Sequence, residues 1–255
     1  MKIVIGCPIY KRDWILPLWI KSIRAQNINF KDVGFIFEVS PDDEATVSML
    51  EEWKSSDTGV GSIEINTRDD IAHFAHKDNG RQWTLSKYEN MVSLRNSILQ
   101  RVREISPEYY FSLDSDILLV NPSTIRLLTS HIDDGADAVN PLMFMTPIGT
   151  DYPSVMSWKT EEPNRAYRES SYPLGTYFKS DVIMAAKVMS RKVYENIDYT
   201  VHRQGEDVGW SLSCREAGYN LFCASYLYGV HVMSELALQE IIKSGDPRSN
   251  VLQSI

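Results

Sequence analysis

Apolar residues along this chain fall into two alternating rhythms. Short runs rich in β-branched and aromatic residues are separated by stretches whose apolar positions lie three and four apart. The first kind predicts buried strands and the second predicts amphipathic helices. Residues 2–7, Lys-Ile-Val-Ile-Gly-Cys, predict a short central strand, and Pro8-Ile9-Tyr10-Lys11-Arg12 a loop after it. Pro17 suits the first turn of a helix, in which Trp19, Ile20 and Ile23 fall at helical spacing up to about Gln26. Val33 to Val39 predicts a second strand that ends in Ser40-Pro41-Asp42-Asp43. A helix from about Asp43 to Lys54 buries Val47, Leu50 and Trp53, and Ser62 to Asn66 predicts a third strand. The order β-α-β-α-β is the signature of a doubly wound parallel sheet.

Thr67 to Trp83 is long, polar and irregular, which in a compact domain points to function. It holds His73 and His76, either metal ligands or two surface histidines of a solvated loop. Ser86-Lys87-Tyr88-Glu89 matches a capping box. The helix it opens buries Tyr88, Met91, Val92, Ile98, Leu99, Val102 and Ile105, and Ser106-Pro107 stops it. Arg95 and Asn96 fall on its other side. The stretch from Tyr109 to Val120 then organises the chain. It is an apolar strand that runs into Asp114-Ser115-Asp116 and resumes as a second apolar run. In an open α/β sheet the carboxyl ends of strands line the ligand crevice. Two carboxylates there can hold a hard divalent cation, which can bridge the oxygens of a diphosphate.

After Asn121-Pro122, a helix is predicted from Ser123 to about His131 and a strand over Asp137–Met145. Residues 146–175 show no period and are expected to be loops around an acceptor pocket. A strand over Asp181–Val188, a helix over Ser190–Asn196, and a helix opened by Gly205-Glu206-Asp207 and closed by Gly218 follow. Leu221–Leu227 predicts a last short strand, with His231 in the loop behind it and a peripheral helix from Ser234 to about Gly245.

The 255 residues, 43% hydrophobic and 24% charged, suit one soluble α/β domain with a full-sized core. The formal net charge of −8 is the opposite of what a nucleic-acid backbone attracts. Cys7, Cys214 and Cys223 make no metal or redox spacing, which favours a reducing compartment. Cys7 and Cys214 read as small buried residues. No apolar run reaches the length of a membrane span, and the first residues enter a strand at once, so no signal peptide is expected. The expectation is a cytoplasmic protein without stable membrane insertion, attached at a membrane only through a partner.

Five motifs in order resemble those of nucleotide-sugar glycosyltransferases of the GT-A fold, most closely the family 2 type. Pro8-Ile9-Tyr10-Lys11-Arg12 resembles the first-strand loop, Arg95-Asn96 the Arg-Asn pair before the metal motif, and Asp114-Ser115-Asp116 the Asp-x-Asp motif itself. Gly205-Glu206-Asp207 resembles the Glu-Asp motif of the acceptor-side helix, and His231 the histidine after the last strand. The second strand departs from the pattern: it ends Phe37-Glu38-Val39-Ser40, where an acidic pair followed by Gly and Ser is common. The resemblance implies a Rossmann-like, mostly parallel sheet in a single domain over residues 1–231. Its nucleotide-sugar-binding half runs to about residue 120 and its acceptor-side half over 121–231, with a tail at 232–255.

The resemblance also implies roles. Asp116 is the direct ligand of Mn²⁺ or Mg²⁺ and His231 a second, with imidazole favouring Mn²⁺. Asp114 reaches the ribose, the donor sugar or the metal through water, beside Ser115. Asp207 is the base that takes the acceptor hydroxyl proton; the alternative is that Glu206 and Asp207 are helix N-terminal acids favoured by the macrodipole. Pro8, Ile9 and Tyr10 hold the nucleotide base, with Arg12 beside them. Glu38 accepts hydrogen bonds from ribose or base. Arg95 pairs with phosphate or Asp114, or is an ordinary exposed helix arginine. Trp210 faces the acceptor or packs in the core.

The activity implied is transfer of a sugar from a UDP- or GDP-sugar to an acceptor hydroxyl, with inversion. The acceptor is a saccharide, a lipid-linked glycan, a protein or a modified nucleobase. A nucleotidyltransferase would show a Gly-rich basic loop after the first strand, and residues 8–12 have no glycine. A non-catalytic sugar-nucleotide-binding scaffold would be expected to lose one of Asp116, Asp207 or His231, and all three are present.

Overall fold

A computed structural model describes residues 1–57, 59–69, 84–145, 152–159, 161–168 and 172–243. The first half builds β1 (Ile3–Ile9), α1 (Leu16–Arg24), β2 (Val33–Val39), α2 (Glu44–Ser56), β3 (Ser62–Thr67), α3 (Leu85–Ile105) and β4 (Tyr109–Leu113). Strands β3, β2, β1 and β4 lie side by side, all parallel, in that order. The chain therefore reverses its direction of sheet growth between β1 and β4, and the crevice at such a switch point is where ligands sit. Every residue of β1 and β2 is buried. On one side of the sheet Trp19 of α1 and Trp53 of α2 meet Phe35 and Phe37 edge to face, with centroids 4.9–6.4 Å apart.

The second half adds β5 (Ile117–Leu119), α4 (Thr124–Asp133), β6 (Ala138–Met145), β7 (Tyr152–Pro153), β8 (Val155–Lys159), β9 (Glu162–Tyr167), β10 (Tyr177–Lys179), β11 (Val182–Ile183), β12 (Ala186–Ser190), α5 (Arg191–Asn196), α6 (Glu206–Glu216), β13 (Leu221–His231) and α7 (Glu235–Lys243). The large sheet runs β10-β13-β6-β12-β4-β1-β2-β3, with β5 on β13 and β7 on β6. Strand β12 is inserted antiparallel between β4 and β6. A small antiparallel sheet, β11-β8-β9, stands beside it.

Several boundaries differ from the pattern reading. The capping residue of α3 is Thr84, which accepts from the Lys87 amide at 3.4 Å, two residues before the expected Ser86. The stretch 181–188 is two strands, because Ala185 takes a left-handed turn at φ 64° between them. Residues 155–159 and 162–167 pair as strands where loops were expected. Strand β13 runs on to His231, because its last three residues pair with β5. All three cysteines are buried and free. His73 and His76 lie outside the described residues, as does the end of the tail from 244 onward. No helix among the described residues is long and apolar enough to cross a membrane.

Candidate active site

The loop after β1 is shaped by the start of α2. Asp43 caps that helix, accepting from the Thr46 amide, and it also accepts from the Lys11 amide. Lys11 sits at φ 51°, a left-handed conformation that a lysine adopts only when neighbours impose it. Tyr10 donates its hydroxyl to Asp42 at 3.1 Å. Arg12 is thereby turned across the switch point, and its Nη2 reaches Asp116 Oδ2 at 3.2 Å.

The acidic turn Asp114–Asp116 follows β4 and is held from three sides. Trp19 Nε1 donates to the Asp114 carbonyl at 3.1 Å. The Asp114 amide donates to the Ala185 carbonyl at 3.1 Å, and the Val232 amide to the Asp116 carbonyl at 2.8 Å. The last bond, with the β5–β13 pairing, brings His231 Nε2 to 3.2 Å from Asp116 Oδ1.

Arg95 is not the exposed helix residue of the alternative reading: it is 1% exposed. Its Nη2 donates to Asp114 Oδ1 at 2.7 Å, its Nη1 to Ser112 Oγ at 3.1 Å and its Nε to Glu206 Oε1 at 3.1 Å. Its neighbour Asn96 exchanges two hydrogen bonds with the backbone of Tyr199, at 2.9 and 2.8 Å. The Arg-Asn pair thus ties α3 both to the acidic turn and to the segment that leads into α6.

Gly205 precedes α6 at φ 120°, a value that a side chain would strain. The two acids that follow have opposite surroundings. Burial works to raise the Asp207 carboxyl, but Lys187 and then Arg95 outweigh it and hold it below the ordinary carboxylate value. Its Oδ1 accepts from Lys187 Nζ and its Oδ2 from the Ala185 amide at 3.0 Å. Burial raises the Glu206 carboxyl; Arg95 opposes this, Asp207 and Asp114 add to it, and the net direction is upward.

These groups face one cavity of about 330 Å³. Its lining includes Pro8, Ile9, Tyr10, Arg12, Arg95, Asp114, Ser115, Asp116, Glu206, Asp207 and His231, all singled out from sequence. Two other expected residues stand elsewhere. Glu38 is buried behind the wall, where it accepts from Ser97 Oγ at 2.9 Å and Asn66 Nδ2 at 3.4 Å. Its position in β2, opposite Pro8, turns its carboxylate toward α3 and β3 and away from the lining. Trp210 is fully buried and stacks on Tyr199, so the core-packing alternative describes it. The expected grouping of Asp114 with Asp116 and His231 is also not formed. Asp114 is engaged by Arg95, and no three His, Cys, Asp or Glu side chains among the described residues gather for a metal. Asp116 and His231 alone offer one carboxylate and one imidazole side by side. That donor set would suit an Mn²⁺ that drew its other ligands from substrate oxygens and water.

The cavity also uses residues that were not expected there. Tyr88 and Met91, expected in the core from helical spacing, are half-buried and line it from α3 with Lys87 and Leu94, and Arg168 and Gln204 line it from the side of the small sheet. Gln204 acts as a staple, accepting from the Ala166 amide at 2.9 Å and donating to its carbonyl at 2.8 Å. Lys187 is the main omission. A lysine inside an Ala-Ala-Lys-Val-Met run that reads as a central strand is the signal that could have marked it, since both faces of such a strand are buried.

Residues 3–149 match the family described as glycosyltransferase family 25, N-terminal domain. Among curated relatives, procollagen galactosyltransferase 1-A of Xenopus laevis is 26% identical over 199 residues, covering 72% of this chain and 32% of its own length. The chain thus spans about a third of that relative. The mannosyltransferase PcManGT from Pyrobaculum calidifontis, solved with GDP-Man and Mn²⁺, superposes with a TM-score of 0.57 at 12% identity, over 91% of this chain and 57% of that one. GalNAc-T7, solved with UDP, GalNAc and Mn²⁺, gives 0.63 at 12% identity, over 91% and 44%. At such identity the likeness is one of fold, and the fold is GT-A. The family matched is 25; the sequence motifs resemble family 2 of the same fold.

Proposed function

This chain belongs to glycosyltransferase family 25, and from that premise we propose that it moves a sugar from a nucleoside diphosphate sugar to an acceptor hydroxyl, with a divalent cation and with inversion. The observation that carries the reading is the gathering of Tyr10, Arg12, Asp116, His231, Arg95 and Asp207 around one cavity at the β1/β4 switch point. Tyr10, Pro8 and Ile9 at the end of β1 offer an aromatic ring and apolar surface to a nucleotide base. Arg12 offers a guanidinium to the diphosphate, a pairing that its fork geometry suits. Asp116 and His231 would hold Mn²⁺ or Mg²⁺, which supplies Lewis acidity toward the leaving diphosphate. Asp114, held by Arg95, would meet ribose or donor sugar.

Asp207 takes the proton of the acceptor hydroxyl. The acceptor oxygen bonds to the anomeric carbon, the bond from that carbon to the diphosphate breaks, and its electron pair leaves on the diphosphate. A weak base suffices when proton transfer comes late in a dissociative step. Asp207, held ionised by Lys187 and Arg95, is such a weak base.

UDP-galactose is the first donor to test, because the curated relative is named a galactosyltransferase. GDP-mannose is the second, because a structural neighbour holds GDP-Man. The test is thermal unfolding against UDP, GDP, CDP and TDP, each with and without Mn²⁺, followed by nucleotide release from the matching sugar donor. A native-state ligand at 100 times its Kd adds about 2.7 kcal/mol. A metal-dependent shift with one diphosphate is the expected result. No shift with any of the four overturns the donor site.

A further inference from the structure

We propose that Lys187 is a positioning residue for this reaction: it anchors the Asp207 carboxylate so that the lone pairs left over stay available to the acceptor hydroxyl. The inference rests on the reading of Asp207 as the base. Lysine is almost never fully buried unless it is paired, and Lys187 has no solvent exposure. It is the second residue of β12, opposite Ser112 of β4. Its Nζ donates to Asp207 Oδ1 and lies 5.1 Å from the Tyr199 ring and 5.0 Å from the Trp210 ring. Packing alone does not call for a lysine here, since a well-packed apolar side chain commonly serves a buried position as well as an ion pair does. The flanking Ala186 and Val188 are apolar and equally buried.

The same short segment holds the other carboxylate oxygen. The Ala185 amide donates to Asp207 Oδ2 at 3.0 Å, and the Ala185 carbonyl accepts from the Asp114 amide at 3.1 Å. Ala185 adopts φ 64° to do both. A non-glycine residue persists there only when its surroundings over-determine it, as they do at functional sites. Residues 185–187 therefore link the acidic turn to the base. A carboxylate offers about four lone-pair sites; two are used, so each oxygen keeps one for a hydroxyl.

Among the described residues, the charged and titratable groups facing Asp207 are Lys187 from β12, Arg95 from α3, Glu206 from α6 and Tyr199 from the segment before it, with Asp114 reached through Arg95. Without Lys187 the strongest opposing charge is gone, while burial and Glu206 favour the protonated acid. A protonated Asp207 cannot accept the acceptor's proton.

The test uses the full chain with ¹³C-labelled aspartate carboxyls, the Asp207 signal being assigned by its loss in Asp207→Asn. Wild type, Lys187→Met and Lys187→Arg are titrated by NMR. Hydrolysis of UDP-galactose with Mn²⁺ is followed against pH as a probe with water as acceptor. Lys187→Met is expected to move the Asp207 titration and the acid limb of kcat upward by about one pH unit or more, with KM for UDP-galactose unchanged. Lys187→Arg is expected to restore both. A Lys187→Met titration that coincides with wild type, or an activity loss uniform across pH and equal in Lys187→Arg, overturns the inference. If Lys187→Met does not fold, the ¹⁵Nζ signal of Lys187 decides. It should be slowly exchanging in wild type and lost in Asp207→Asn, and an unchanged signal overturns the pairing. Asp207→Asn that still transfers near the wild-type rate sinks the base itself. An inactive Asp207→Asn beside an unmoved Lys187→Met profile sinks only the role of Lys187.

Discussion

Arg12 Nη2 lies 3.2 Å from Asp116 Oδ2, joining the carboxyl ends of two adjacent parallel strands. The same carboxylate meets His231 Nε2 at 3.2 Å on its other oxygen. The group proposed to take the cation is therefore already compensated by a guanidinium that the diphosphate would also attract. Removing Arg12 should have opposite effects on the two ligands. Arg12→Met is expected to tighten binding of Mn²⁺ alone about tenfold, a gain of about 1.4 kcal/mol, and to weaken UDP in the presence of Mn²⁺. Calorimetry with each ligand reads both, and a parallel change in the two would count against the arrangement.

Asp116→Ala should remove the metal-dependent part of nucleotide binding. At saturating UDP or GDP, whichever stabilises the wild type, the gain of about 2.7 kcal/mol should lose its dependence on Mn²⁺. Unchanged stabilisation in the variant would assign the cation to other groups.

Arg95 satisfies two carboxylates and a hydroxyl while itself fully buried. Arg95→Met leaves Glu206 and Asp114 without their cation, and breaking a buried ion pair costs about 3–5 kcal/mol. Arg95→Lys should rescue little of this, because one ammonium cannot reproduce the guanidinium fork. Urea unfolding of both variants measures the loss, and a cost below about 1 kcal/mol would show that the network is dispensable.

The pH dependence of stability should carry two opposed signatures. Asp207 is held below its ordinary value of 3.8, so its contribution is present above that value and is lost as pH falls through the folded pKa. Glu206 is raised above its ordinary value of 4.5, so its contribution is complete below that value and is lost as pH rises through the folded pKa. Asp207→Asn should flatten the acid-side loss, and Glu206→Gln the decline on the other side. Unfolding free energies from pH 2 to pH 7 would show both, and unchanged slopes would refute the assignment.

Helix α6 approaches the preceding segment through Gly209. A methyl group there would run into the Thr200 carbonyl oxygen, so backbone must move. Gly209→Ala should cost about 1–3 kcal/mol and shift Asp207, which lies two residues away on the same helix. A drop in thermal stability together with a changed Asp207 carboxyl signal is expected.

What the sequence determined by itself is the local and the sequential. Periodicity within a few residues set β1 through β4 and the helices between them, since a strand such as Val33–Val39 or a helix such as Leu85–Ile105 is encoded in its own apolar pattern. The strand-end position marked Asp114 and Asp116 as crevice residues, and the resemblance of the ordered motifs to those of GT-A glycosyltransferases marked Tyr10, Arg12, Glu206, Asp207 and His231 as their neighbours. Tertiary structure decided which of them touch. The Arg95–Glu206 bond spans 111 residues and the Arg12–Asp116 bond 104, and no local pattern records a contact at such separation. The antiparallel insertion of β12 belongs to the same class: it buries Lys187 against Asp207 because the strand lies between β4 and β6. Burial likewise put Glu38, expected to meet ribose or base, behind the wall, and it decided for the core between the two readings left open for Trp210. Side-chain direction depends on what packs from the far side of a strand or helix, and that partner comes from elsewhere in the chain.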